Sequence, residues 1–583
     1  MKKQLYTALL ITLGFSIALS SCKKYETEPK DWFTEDLTFD TLDKNGIVTL
    51  YNLNNIYNNI PNGFTRINGE YLDAATDDAV PSRFNTTVDY LSKGAINAQV
   101  NPEEAIGTGF ESSWANYYAG IRRANIFMKD VGRTPVTAAN KTIWKSEARF
   151  LRAFFYFELL KRYGGVPILK DTILTLNDDI RLPRNTFAET VDYIVSECDA
   201  VKNDMRNPVT LATTDWGRVS KGAAVALKSR VLLYAASPLF NGGGIEADAA
   251  KKALTGYPTA DNTRWQKVVA ACDEFNDIKN GAANYYTLLS SGTPTAFISL
   301  FITKNPVEVI FAKQSANSTN LEFSQSPVGY LSSNQKSQGF TSPTQDFVDA
   351  FPMANGLDIN QAGSGYNAAT PYASRDPRLA ATVFYNGLAW LGRNVETFEG
   401  GRDKPNNTAV SAAQTRTGYY LRKFLGNYAT GTAYSAISHN FPIFRFGEII
   451  LNKAEALNEL GQTEAAVTEI IKIRQRAGIT AGTGSRYGIK AGITQTEMRT
   501  LIQNERRIEL AFEEHRFWDV RRWKIAPVVY DKMLKGVRIT NGTTLSYQSI
   551  DVSKLTWNNR MYHMPIPFSE ISKNPSLVQN EGW

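Results

Sequence analysis

Apolar residues recur at helical spacing towards both ends of this chain and lose that spacing in its middle. Trp144, Ala148, Leu151, Phe155 and Leu159 fall on one face of a helix. That run stops at Tyr163-Gly164-Gly165-Val166-Pro167, where glycine after the last turn and proline beyond it are stop signals. Thr186-Phe187-Ala188-Glu189 reads as a capping box, with Phe187, Val191, Ile194, Val195 and Cys198 forming the stripe behind it. A helix over Ala223 to Ala236 follows, with Ser220 as its cap and Pro238 beyond its end. Trp265, Val268, Val269, Cys272 and Phe275 repeat the pattern. Near the other end, Phe446 to Leu460, Gly461, Glu464 to Ala477 and Gly478 predict a helix pair joined by a tight glycine turn. Thr494 and Glu497 make a second capping box, ahead of Met498, Leu501, Ile502, Ile508 and Phe512. The small-residue spacing of Ala456, Gly461 and Ala465 resembles a tetratricopeptide unit, although no strict repeat of about 34 residues is visible.

From about residue 241 to 440 the chain is rich in Gly, Ser, Thr, Asn and Pro, with short apolar runs and many aromatics. That length is too great for one loop and predicts an irregular elaboration of short strands and helices. Loops on a rigid scaffold usually carry binding function. The expected division is a leader at 1–21, a tether at 22–44, a helical part at 45–240, the elaboration at 241–440 and a second helical part at 441–583 that completes the core.

With 583 residues, 43% apolar and 21% charged, the chain has the composition of a folded protein. Its formal charge of +7 falls to about +5 if Lys2 and Lys3 leave with the leader, and no basic stripe points to nucleic acid. The leader itself is informative. Met1-Lys2-Lys3 precedes an apolar run from Ala8 to Leu19, which breaks at Ser20-Ser21-Cys22. The run is too short to span a bilayer comfortably and reads as a secretory signal. Leu19-Ser20-Ser21-Cys22 resembles a bacterial lipobox, in which Cys22 is lipidated and becomes the new N terminus. Ordinary cleavage nearby, leaving Cys22 a free thiol, is the competing reading. Lys23 to Asp31 is polar and reads as a tether between lipid and domain. Cys198 and Cys272 sit on apolar helix faces as small core residues, and spacing leaves a disulfide between them open.

Several segments, in order, resemble the SusD/RagB family. Glu147-Ala148-Arg149-Phe150-Leu151-Arg152-Ala153, Tyr156 and the Tyr163–Pro167 stop are similar to its first helical signature. Arg375-Asp376-Pro377-Arg378 is similar to a mid-chain motif. Phe444-Arg445, Glu448, Leu451-Asn452, Ala454-Glu455 and Asn458 resemble a later helix, followed by Ile473-Arg474 and Arg476-Ala477-Gly478. Glu505-Arg506-Arg507, Glu509, Phe512-Glu513, Arg516, Trp518-Asp519 and Arg521-Arg522-Trp523 come next, and Pro565-Ile566-Pro567, Glu570-Ile571, Asn574-Pro575 and Gln579-Asn580 close the chain. The resemblance implies a mainly α fold, a tetratricopeptide-like right-handed helical superhelix with a loop-rich α+β elaboration. It also implies a lipid-anchored protein of the outer membrane facing the exterior, which captures a glycan or other nutrient for a SusC-like TonB-dependent transporter. These motifs describe scaffold, so they bear on fold, place and partner more than on any ligand.

Glu505, Glu509, Glu513, Glu514 and Asp519 lie close together, and a glycosidase needs two carboxylates across a sugar bond. The interleaved arginines instead predict Arg–carboxylate pairs that fix helix packing, and no catalytic residue is assigned. His439, His515 and His563 are far apart, with no metal-ligand spacing, so neither a metal nor another cofactor is expected. Gly217 and Gly222 have P-loop spacing, but Ala223-Ala224 stands where Lys-Ser/Thr is needed. For the ligand, Asp77, Asp78, Arg83 and Phe84 form a polar and aromatic patch with Tyr90, placed where the family often has a contact loop, with a simple turn or a capping role as the competing reading. Tyr330, Tyr385 and Trp390 offer aromatic faces in the irregular middle, with core packing as the competing reading of each. The rivals to a binding lipoprotein are a glycoside hydrolase and a protein-only scaffold or adhesin.

Overall fold

The computed structural model describes residues 39–101, 113–208, 211–280, 285–289, 292–330, 337–406, 413–428 and 434–583. The leader, Cys22 and most of the tether lie outside the described residues.

Helix packing builds the molecule in one continuous series. α1 (Ile47–Tyr57) lies against α2 (Ser113–Asp130) and α3 (Ala138–Tyr163). α3 then packs on α4 (Phe187–Val201), α4 on α5 (Lys221–Ala236), and α5 on α6 (Thr263–Asn280). α6 carries the series across to α7 (Phe446–Glu459), which pairs with α8 (Thr463–Ala477) and α9 (Gln495–Glu509). The fold is mainly α, with tetratricopeptide-like helix hairpins in the core, as the resemblance implies.

The helical core therefore does not stop near residue 240, where the change in composition places its boundary. α6 buries Trp265, Val268, Cys272 and Phe275 between the two halves, so a helix inside the polar middle segment joins them. The rest of the middle segment is short elements, such as helices at Pro294–Ile302 and Pro377–Thr382. Cys198 and Cys272 are buried free thiols, and Cys272 Sγ lies 3.3 Å from Ser229 Oγ.

Local signals explain most helix ends. Thr186 and Thr494 close the two capping boxes as expected. α3 ends at Gly164, φ 83°, where a Cβ would sit 2.4 Å from the Leu254 carbonyl oxygen, so only glycine fits. Gly478 ends α8 in the left-handed conformation. Ser220 precedes α5 but makes no side-chain cap. Its hydroxyl lies 2.9 Å from the Tyr286 hydroxyl, and a Cβ on Gly222 would meet the Tyr286 ring at 2.6 Å. The P-loop-like glycine thus makes room for a tyrosine laid over the helix start, not for a phosphate.

The strands are few and short. β1 (Ala79–Pro81) is buried throughout, and β2 (Val309–Lys313) buries its three middle residues. β3 (Thr341–Pro343) pairs antiparallel with β1, Ala79 opposite Pro343 and Pro81 opposite Thr341. β4 (Phe441–Arg445) pairs with β2, Phe441 opposite Lys313, and runs straight into α7. β5 (Met533–Asn541) and β6 (Leu545–Lys554) form a hairpin near the end of the chain.

A buried ion network ties the core to the elaboration. Arg445, at the end of β4, reaches Glu513 at 2.7 Å, Glu509 at 2.6 Å and Glu308 at 2.9 Å. Arg378 binds Asp376 and Glu505 at 2.7 Å each and Glu509 at 2.9 Å. Lys423 meets Glu513 at 2.7 Å. Arg506 contacts Asp519 at 3.3 Å, and Arg66 binds Glu514 at 2.7 Å. Burial alone would raise the Glu509 carboxyl, but Arg476, Arg445 and Arg378 outweigh it and hold it well below the usual carboxylate range. Arg–carboxylate packing is what the five acids of residues 505–519 do in this fold.

Candidate functional site

The loop-rich face is assembled on the β1–β3 pair. Ser82 N donates to the Phe340 carbonyl at 2.8 Å, and the Ser82 and Ser342 hydroxyls meet at 2.7 Å. This holds residues 82–84 beside residues 340–342, more than 250 positions apart. Two guanidinium–aromatic pairs result. Arg83 lies 3.7 Å over the Phe340 ring and pairs with Glu70 at 2.9 Å. Arg416 lies 4.4 Å from the Phe84 ring centroid and donates to the Pro81 carbonyl at 3.1 Å and the Val552 carbonyl at 3.3 Å. Burial lowers the Arg416 guanidinium somewhat from its ordinary value. Phe84 itself is 72% exposed, and Tyr90 nearby is 45% exposed. An aromatic ring this open, with its orientation set by a guanidinium behind it, is a ready stacking surface.

Asp77 and Asp78 are in a different environment from the solvent-facing patch expected of them. Both are fully buried. Asp77 forms a two-pronged pair with Arg516, 2.9 Å at each oxygen, and also meets Arg507 at 3.1 Å. Asp78 meets Arg507 at 2.5 Å. Burial pushes the Asp77 carboxyl up, but Arg507 and Arg516 together hold it below the ordinary value. The pair clamps the start of β1 onto α9 and the following short helix, α10 (Arg516–Arg522), and so positions Arg83 and Phe84.

Tyr330 and Trp390 are core residues of the elaboration. They are 6% and 4% exposed, with ring centroids 4.8 Å apart. The Tyr330 hydroxyl donates to the Trp390 carbonyl at 3.0 Å, and Trp390 Nε1 donates to the Gly426 carbonyl at 3.2 Å. Arg393 covers the other side of Tyr330 at 3.7 Å. With both polar handles and both faces engaged, the core-packing reading holds for this pair. Tyr385 differs. It is half-buried and stacks on Tyr372, centroids 4.3 Å apart at 20°, and Tyr547 of the hairpin stands 6.0 Å from Tyr372.

Of the residues singled out from sequence, the structure thus brings Arg83 and Phe84 to the surface together, with Tyr385 in a separate aromatic stack. Arg416, Phe340, Tyr372 and Tyr547 complete these surfaces and carry no local signal in the sequence; only the strand pairing and the hairpin reveal them. Among the described residues no His/Cys/Asp/Glu group has the geometry of a metal site. No described helix is long and apolar enough to cross a membrane.

The comparisons with known proteins agree on one relationship. Residues 307–583 match the model described as the SusD family, and residues 51–233 match one described as starch-binding associating with outer membrane. The chain is similar to SusD-like protein P38 of Formosa agariphila, 23% identical over 514 residues, covering 83% of this chain and 82% of that protein. It is also similar to the starch-binding protein SusD of Bacteroides thetaiotaomicron, 24% identical over 471 residues, covering 77% and 74%. Among solved structures, a SusD-like protein of Bacteroides fragilis superposes with a TM-score of 0.75 at 28% identity, covering 94% of this chain and 99% of that one. The two models take in both helical halves and the relatives span the length between, so this chain belongs to the SusD/RagB family.

Proposed function

We propose that this protein is a cell-surface lipoprotein that captures a glycan and hands it, uncut, to a SusC-like TonB-dependent transporter of the outer membrane. The observation that carries the reading is the Phe84 platform: a ring 72% exposed, braced by Arg416, with the Arg83–Phe340 pair beside it. Sugar rings present C–H faces that stack on aromatics and hydroxyls that pair with guanidinium and amide groups. The names of the matching model and of the Bacteroides thetaiotaomicron relative support starch-like glycans as the ligand class and the outer membrane as the place. A non-enzymatic role is supported by the acids of residues 505–519, which are engaged by arginines and lysine instead of facing one another across a cleft. The Cys22 lipid would supply the anchor, since acyl chains contribute about 0.8 kcal/mol per buried CH₂.

A protein that must release what it catches binds modestly, in the micromolar range or weaker, about −8 kcal/mol or less in magnitude. The test is affinity electrophoresis through gels that contain starch or other soluble polysaccharides. Phe84→Ala should lose most of the retardation while melting temperature stays near that of the parent, and Arg416→Gln should lose it too, with a modest fall in melting temperature from its two lost backbone bonds. Retardation unchanged in both variants would remove the platform as the site, and release of shortened products would replace capture with hydrolysis. For the anchor, Cys22→Ala expressed without the transporter should leave the membrane fraction; retention there after high-salt washing would overturn the lipid reading.

A further inference from the structure

We propose that a second saccharide site lies between α1, the turn at residues 212–218 and β2, and that it takes a sugar ring bearing a carboxylate. The site is a cleft of about 350 Å³, within the range of about 300–1,000 Å³ common for small-ligand sites. Asn54, Asn58, Thr214, Trp216, Lys313 and Gln314 line it.

Its most exposed aromatic is Trp216, 38% exposed, with Tyr57 half-buried beside it in the lining. With the Asn305 amide oxygen turned towards the indole, Trp216 Nε1 donates to it at 3.3 Å, which fixes the edge of a ring that lines the cleft. Asn54 and Asn58 stand four positions apart at the end of α1, both exposed. Asn54 Oδ1 accepts from Arg218 at 2.8 Å, so its amide N–H₂ is left for a ligand. A fixed aromatic plane edged by amides suits a sugar ring and its hydroxyls.

The charge balance selects the substituent. Arg206 and Arg218 share Glu147, at 2.9 and 3.1 Å, and both lie 3.4 Å from Asp215. Those two acids are matched by those two arginines. Lys313 is the third cation of the cluster, and its ammonium donates only to the Tyr57 carbonyl, at 2.9 Å, with no ion pair among the described residues. Burial lowers the Lys313 ammonium from its ordinary value. A half-buried cation with two donors to spare is stabilised by an incoming anion and gains less from a neutral hydroxyl.

This site rests on the glycan reading for its ligand class but not on the Phe84 platform. The test is calorimetric titration of the full chain with a galacturonate trisaccharide and with a neutral galactose trisaccharide. The uronate should bind, and Trp216→Ala and Lys313→Gln should each weaken it roughly tenfold or more, the size expected of a lost stack or charged pair. Phe84→Ala should leave that binding unchanged, and Trp216→Ala should keep the parent melting temperature. The proposal is overturned if the uronate shows no heat at millimolar concentration, if both variants bind it as the parent does, or if the neutral sugar binds equally well. Uronate binding lost in Phe84→Ala alone would place it on the loop face and leave only the first reading standing.

Discussion

Phe84 and Trp390 are both aromatics in loop-rich sequence, and exposure separates them: 72% against 4%. Trp390→Ala removes a ring packed on Tyr330 and Phe384 and an indole bond to Gly426, so it should cost about 3–5 kcal/mol and lower the melting temperature clearly. Phe84→Ala should stay within about 0.5 kcal/mol by denaturant titration, as surface substitutions do. Nothing in the local sequence of either residue distinguishes them, because burial depends on what the rest of the chain lays over them. Asp77 and Asp78 show the same limit more sharply. Charged residues are expected at the surface because dehydrating them is expensive without partners. Their partners, Arg507 and Arg516, lie 429 and 439 positions away, beyond any reading of local pattern.

Elements were legible where their signals are local. The helix pair α7–α8 with its Gly461 turn, the glycine stop of α3 and both capping boxes follow from residues a few positions apart. Thr494→Ala should therefore cost about 1 kcal/mol, measured by chemical denaturation. Ser220 had the right residue type in the right place, yet Tyr286 captures its hydroxyl. The expected sign is a coupling: Ser220→Ala and Tyr286→Phe together should cost less than the sum of the two, by about 0.5–1.5 kcal/mol in a double-mutant cycle. Additive effects would show that the bond contributes little. The stripe of α6 was readable on its own, but its role as the bridge between halves was not, since periodicity says which face is apolar and not what it meets. The β1–β3 register, on which the Phe84 platform depends, is three residues long and has no sequence signature at all.

At the scale of the whole molecule, the ion network makes the fold sensitive to acid. Glu158 is the clearest single case. Burial would raise its carboxyl, but Lys161 and Arg162 bring it down to about 2. Its folded value lies below its unfolded one, so the stability it contributes is present above about pH 4.5 and is lost as the pH falls from there towards 2. Glu509 shifts in the same direction. Unfolding free energy should thus fall below about pH 4.5. Glu509→Gln, which leaves three arginines facing a neutral amide, should cost about 3–5 kcal/mol at neutral pH. A flat stability profile between pH 5 and 3 would argue that these pairs are already weak in the folded state. The Asp77–Arg516 clamp has a further consequence, one of timing. A ribosome adds residues in order, so the acids near the start of β1 wait through some 430 further residues before their arginines exist. Until then these two carboxylates have no cations to accompany them into the interior, so the segment that leads into β1 can take its final place only after the arginines have been made.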